Sequence, residues 1–145
     1  MPDAAIGVDI LIGFPGETEK AFENTYSLIE KLPVTYLHVF PFSSRPGTPA
    51  CKYPKKVPQK TIKARCEKMR RLGNEMKRIF YETFIGKTVQ VLIEGKRDKE
   101  TGLLKGITSN YIPAHVIGND ELFNTVVQVN IKKIEKNNMV FGVLC

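Results

Sequence analysis

The stretch "GVDILIGFPGETEKAF", Gly7 to Phe22, constrains this chain more than any other. Ile10, Leu11 and Ile12 form the β-branched-rich run expected of a strand buried on both faces, and Gly13-Phe14-Pro15-Gly16 breaks it at once. A helix follows. Thr18 suits its N-cap, Glu17 and Glu19 suit the positive end of the helix dipole, and Phe22, Tyr26, Ile29 and Leu32 form an apolar stripe that Pro33 ends. Strand, glycine turn, helix is the arrangement at which α/β proteins place their ligands. Thr35 to Phe42 then alternates as a second strand, with Tyr36, His38, Phe40 and Phe42 on one side and Leu37, Val39 and Pro41 on the other. Two strands joined by a helix pair in parallel with a right-handed crossover, inside a sheet covered on both faces. The first half is therefore expected to be the tail end of a larger α/β domain, since a complete barrel of this kind takes about 250 residues.

Ser43 to Pro58, with "SSRPGTPA", reads as an ordered loop leaving the carboxyl end of the second strand. Pro58 suits the first position of a long helix in which Ile62, Cys66, Met69, Leu72, Met76, Ile79 and Phe80 recur at helical spacing. Charge separates this segment from the rest. Lys55 to Arg78 carries ten basic and two acidic side chains, whereas the flanking parts are close to balanced, so the net charge of +7 resides almost entirely here. A polyanion is its natural partner, and a solvated helix face is the plainer alternative.

From Thr83 onward the texture changes to short strands and turns. Strands are expected near Lys87 to Glu94, Leu103 to Thr108, Ile112 to Ile117, Thr125 to Ile134 and Met139 to Leu144, with turns at "RDKETG", "GND" and "KNN". Five short antiparallel strands suggest a small closed β-barrel of the oligonucleotide-binding sort. The expected class is thus α/β plus all-β: residues 1–82 as a strand-helix-strand-helix piece of an open β/α barrel, and residues 83–145 as a five-stranded antiparallel barrel.

Several chemistries lack their motifs. "GKT" at Gly86-Lys87-Thr88 would need a glycine where Tyr81 stands, and Gly13 to Gly16 does not complete a GxGxxG fingerprint. His38 and His115 have no metal-ligand spacing and read as half-buried strand histidines. Cys51, Cys66 and Cys145 lie too far apart for a CxxC pair and read as plain thiols. No run approaches the roughly 18 apolar residues of a membrane span, and no signal-peptide pattern opens the chain, so no membrane and a cytoplasmic location are expected.

The run "GVDILIGFPGETEKAFENT", then "LHVFPFSSRPGTPA", then a basic helix and a tail with "GKTVQVLIEG" and "GITSNYI" resembles the carboxyl-terminal half of radical S-adenosylmethionine methylthiotransferases. The wording of "LHVFPFSSRPGTPA" is most similar to the branch that modifies threonylcarbamoyladenosine in tRNA. The resemblance implies a β/α barrel that ends in a TRAM domain, a small RNA-binding barrel, with tRNA as partner. It implies that Gly7 to Gly13 is the fifth strand of that barrel and Leu37 to Phe42 the sixth. S-adenosylmethionine would lie against Ile12, Gly13, Phe14, Pro15, Val39, Phe40 and Pro41. Two readings stay open for the glycine turn: close approach to that ligand, or no more than a tight corner.

For RNA, Tyr111 beside Thr108 and Asn110, with Lys105, offers a stacking ring, hydrogen bonds and a phosphate partner, or else Tyr111 belongs to the barrel core. Arg45 stands where it could meet a modified nucleoside, or it anchors its loop. Lys60, Lys63, Arg70 and Arg71 would add sequence-independent phosphate contacts. The chain lacks the CxxxCxxC triplet that holds the family's radical iron–sulfur cluster, and the amino-terminal part carrying the second cluster. On this reading Met1 is an internal methionine, the chain alone is inactive, no residue here is catalytic or a metal ligand, and the missing amino-terminal part is a partner. Two rival readings are a non-catalytic RNA-binding module and the branch that modifies a ribosomal-protein aspartate.

Overall fold

The computed structural model describes residues 3–136 and 138–145, so Met1 and the Asn137 of the "KNN" turn lie outside it. The chain divides into one unit of Ile6–Met76 and another in which residues up to Ala5 join Lys77–Cys145.

In the first unit, strand β1 (Gly7–Ile12) pairs in parallel with β2 (Tyr36–Pro41), in register from Gly7↔Tyr36 to Ile12↔Pro41. Helix α1 (Glu19–Lys31) joins them, and the Thr18 hydroxyl caps it by accepting from the Ala21 N–H at 3.2 Å. Ile10 and Ile12 from the sheet, Phe22 and Ile29 from α1, and Ile62, Cys66, Met69 and Leu72 from helix α2 (Gln59–Glu82) form one apolar core. Leu37 and Val39 pack against it. Pro58 stands just ahead of α2 and its carbonyl accepts from the Ile62 N–H.

Three expectations need correction. The sheet is covered on one face only, so Leu11 and Phe40 stay about half exposed while Tyr36, His38 and Phe40 line up as neighbouring rings on that open face. Both helices of this unit supply their apolar stripes to the other face, which leaves nothing among its described residues to cover this one. Leu32 leaves the stripe because it is the C-cap of α1, in extended backbone and exposed. Ile79 is also exposed, and Tyr81 takes the inward position in the last turn of α2.

The second unit is a closed barrel of β3 (Thr88–Arg97), β4 (Leu104–Thr108), β5 (Pro113–Val116), β6 (Val126–Ile134) and β7 (Val140–Leu144), in the order β3-β4-β5-β7-β6. All neighbours are antiparallel except β5 and β7, which run parallel. The all-antiparallel expectation fails for a topological reason: five strands, an odd number, cannot close a ring in which every neighbour reverses direction. Alternate residues point inward, among them Val91, Ile93, Leu104, Val116, Val129, Ile131 and Val140, and Tyr81 and Phe84 complete the core. At Gly142 a Cβ would overlap Val129, so the crowded barrel interior admits no side chain there. Register shifts in β3 and β6 bend both strands, as barrel closure requires.

Candidate functional site

At the carboxyl end of β1 the chain turns through Gly13, whose φ of +87° lies in the left-handed region. The Gly13 N–H donates to Glu17 Oε2 at 2.9 Å, and the Ile12 carbonyl accepts from the Phe42 N–H at 2.7 Å. Glu17 is held in turn by Arg65, at 2.6 Å, whose other terminal nitrogen meets Glu19 at 2.7 Å. Only 7% of the Arg65 side chain is exposed. Burial pulls its pKa down, but the hydrogen bonds and charges of Glu19 and Glu17 outweigh that and raise it. A Cβ at Gly13 would overlap Ile62, so the packing of α2 already demands glycine at this corner.

Phe14 projects at this rim, 40% exposed, with its ring edge-on to Phe42 at 5.3 Å and to Tyr53 at 6.0 Å between centroids. Phe40 and Pro41 are exposed and Pro15 is half-buried, so these residues present apolar surface of the kind that a flat purine face covers. Ile12, Gly13 and Val39 do not. Ile12 is buried, the Gly13 N–H is taken, Val39 packs on the core, and its carbonyl accepts from Arg70 at 3.2 Å. The thiols do not form a cluster-holding set. Cys66 is buried on the inward face of α2, where desolvation raises its pKa, Cys51 is half-buried, Cys145 lies in the other unit, and no three His, Cys, Asp or Glu among the described residues could hold a metal ion.

The basic side chains of α2 fall into two groups. Arg65 and Arg70 are structural, and Lys68 is paired with Glu23 at 2.7 Å while lying over the Tyr26 ring. Lys60, Lys63 and Arg71 are exposed, share the water-facing side by their spacing, and make no hydrogen bond or ion pair among the described residues. Arg45 is exposed in the loop after β2, with its carbonyl bound by the Thr48 hydroxyl at 2.8 Å. Sequence reasoning missed Arg65, whose signal was the acidic pair Glu17 and Glu19 flanking the glycine turn.

In the barrel, Thr108 is buried and its hydroxyl both donates to Asn110 Oδ1 and accepts from the Ile112 N–H at 2.9 Å. The Asn110 amide donates to the Asp3 carbonyl at 3.0 Å. These two side chains build a turn, and the turn holds Tyr111 at φ +64° with 74% of it exposed, so Tyr111 is not a core residue. Lys105 points outward from β4 and is likewise unpaired among the described residues.

The histidines depart from the half-buried reading: His38 is exposed, and His115 is fully buried. His115 Nδ1 lies 2.6 Å from Glu135, and Nε2 lies 3.7 Å from Asp98. The Asp98 carboxyl is held below its ordinary pKa by the Thr101 N–H and hydroxyl, with a smaller contribution from the Glu100 N–H, against the opposing effect of burial.

No family model matches the chain. Among curated proteins it is 35% identical over 147 residues, 99% of the chain, to the tRNA-2-methylthio-N(6)-dimethylallyladenosine synthase of Ehrlichia canis. It is 34% identical over 92% of its length to the Bacillus subtilis protein of the same name. It is 37% identical over 77% of its length to the threonylcarbamoyladenosine tRNA methylthiotransferase of Aquifex aeolicus. These matches cover 33%, 26% and 25% of the respective relatives, so the chain spans about a quarter to a third of their length.

Proposed function

We propose that this chain, homologous to tRNA methylthiotransferases along 99% of its length, is the carboxyl-terminal part of such an enzyme and supplies its tRNA-gripping surface. The observation that carries this reading is that one continuous match spans both the glycine-turn unit and the barrel. In the whole enzyme, S-adenosylmethionine and iron–sulfur clusters would supply radical chemistry that installs a methylthio group on an adenine ring. The cluster-holding cysteines would stand outside the sequence described, which makes this chain alone inactive. Within it, Phe14, Pro15, Phe40 and Pro41 would offer the apolar rim. Tyr111, Lys105, Lys60, Lys63 and Arg71 would hold RNA, while Arg70 is engaged by the Val39 carbonyl of β2.

For the nucleoside, threonylcarbamoyladenosine is the reading that Arg45 supports, since an exposed guanidinium on the loop after β2 suits the carboxylate of that modification. A dimethylallyladenosine substrate is the second reading, favoured by the names of the Ehrlichia and Bacillus relatives and by the exposed Phe14 and Phe40. The test is retention on the immobilised chain of tRNA stem-loops bearing adenosine, threonylcarbamoyladenosine or dimethylallyladenosine, beside a ribosomal protein. Preference for the threonylcarbamoyl stem-loop, lost in Arg45→Gln, is expected. Preference for the dimethylallyl form would overturn the nucleoside but keep the enzyme class, and preference for the ribosomal protein would overturn both.

A further inference from the structure

The outer wall of the barrel carries a groove of about 370 Å³, within the range of small-ligand sites. Its floor is a single apolar row across three strands, in which Leu92 of β3 is paired with Ile107 of β4 on one side and Val126 of β6 on the other. Leu92 and Val126 are 45% and 61% exposed, so the floor of the groove is open aliphatic surface. Gln90 lies two residues along the same face, and Ser109 and Tyr111 rise from the turn after β4. The Gln90 amide and the Ser109 and Tyr111 hydroxyls have no hydrogen-bond partner among the described residues. Strand alternation places Lys105 on the same outward face of β4, two residues before Ile107 and on the side of the row away from Ser109 and Tyr111.

The geometry points to this groove as the seat of one unpaired RNA base, with Tyr111 stacking on it, the Leu92 row against its other face or edge, and Lys105 meeting the adjoining phosphate. The inference rests on the RNA-binding reading above and gives it a location. A phosphate cannot be the occupant of the groove itself, because none of its lining residues is charged. A nucleobase matches on each count: it is flat, neutral and apolar on its faces, and its edge offers the donors and acceptors that Gln90 and Ser109 lack. The backbone supports the assignment, since Thr108 and Asn110 commit their polar groups to keeping Tyr111 in the left-handed region with its ring turned to solvent.

The test uses the full chain and an RNA stem-loop carrying 4-thiouridine at each loop position in turn. A photocrosslink to Tyr111 or to the Leu92 row, from one loop position above all, is expected. Tyr111→Asn, which keeps the backbone conformation, and Val126→Gln should each weaken binding, the former about tenfold, while Tyr111→Phe binds nearly as the parent does. Losing the ring should leave the salt dependence unchanged, and Lys105→Gln should lower its slope by about 1. If the parent binds RNA but Tyr111→Asn and Val126→Gln bind equally well, the groove assignment is overturned and the RNA reading stands. If the parent binds no RNA, both fall. Concentration-dependent self-association that Val126→Gln abolishes, with RNA binding untouched, would give the groove to a second copy of the chain and overturn the proposal.

Discussion

Arg65 is the side chain on which the first unit turns. It joins α2 to the acidic start of α1 through Glu17 and Glu19, and Glu17 fixes the glycine corner by accepting from the Gly13 N–H. Removing one member of a buried pair leaves the other charge uncompensated, so Arg65→Ala should cost about 3 kcal/mol in urea unfolding. Adding Glu17→Gln should restore part of that loss, which a purely volumetric effect would not allow. Cys66 gives an independent check on the same helix. Its burial and raised pKa should keep it unreactive toward a thiol reagent at neutral pH while exposed Cys145 reacts, and urea should make both react.

Among elements, the glycine turn and the β3–β4 turn make opposite demands. Gly13→Ala adds a Cβ in a left-handed conformation against the buried Ile62, and about 2 kcal/mol of destabilisation is expected in urea unfolding. The β3–β4 turn depends on charge instead. Asp98 accepts from the N–H groups of Glu100 and Thr101 at 3.1 and 2.9 Å, and its lowered pKa means that its ionised form stabilises the fold. That stabilisation is present above the ordinary aspartate value of about 3.9 and is lost as pH falls through the lowered one. The difference in thermal midpoint between parent and Asp98→Ala should therefore shrink between about pH 5 and pH 2. These elements also mark what the sequence makes legible. A short apolar run ended by glycines identified β1, and periodicities of two and 3.6 identified β2, α1 and α2, because burial along one element is a local pattern. The parallel β5–β7 pair was not legible, because it follows from ring closure over five strands. The role of Arg65 was not legible because its partners Glu17 and Glu19 lie far away in the chain, and that of Thr108 and Asn110 was not legible because their bonds within the turn after β4, though local, follow no period of two or 3.6.

Across the whole molecule, the basic excess of +8 between Lys55 and Arg78 resolves into held and available charge. Arg65, Lys68, Arg70 and Arg78 are engaged with Glu17, Glu19, Glu23, the Val39 carbonyl and Glu82, whereas Lys60, Lys63 and Arg71 on the outer side of α2 face water unpaired among the described residues, as do Lys55 and Lys56 in the loop before it. Only free cations release counterions from RNA without first giving up a protein partner, so they should dominate the salt dependence of binding. Replacing Lys60, Lys63 and Arg71 together by Gln should lower the slope of log affinity against log salt by about 2 to 3, uniformly across RNA sequences, with unfolding unchanged. Arg70→Gln should do the reverse: it should loosen the end of β2 and lower stability while moving the slope by less than one contact. Equal slopes for the triple variant and the parent would show that α2 is a solvated face, and would leave any RNA binding to the barrel alone.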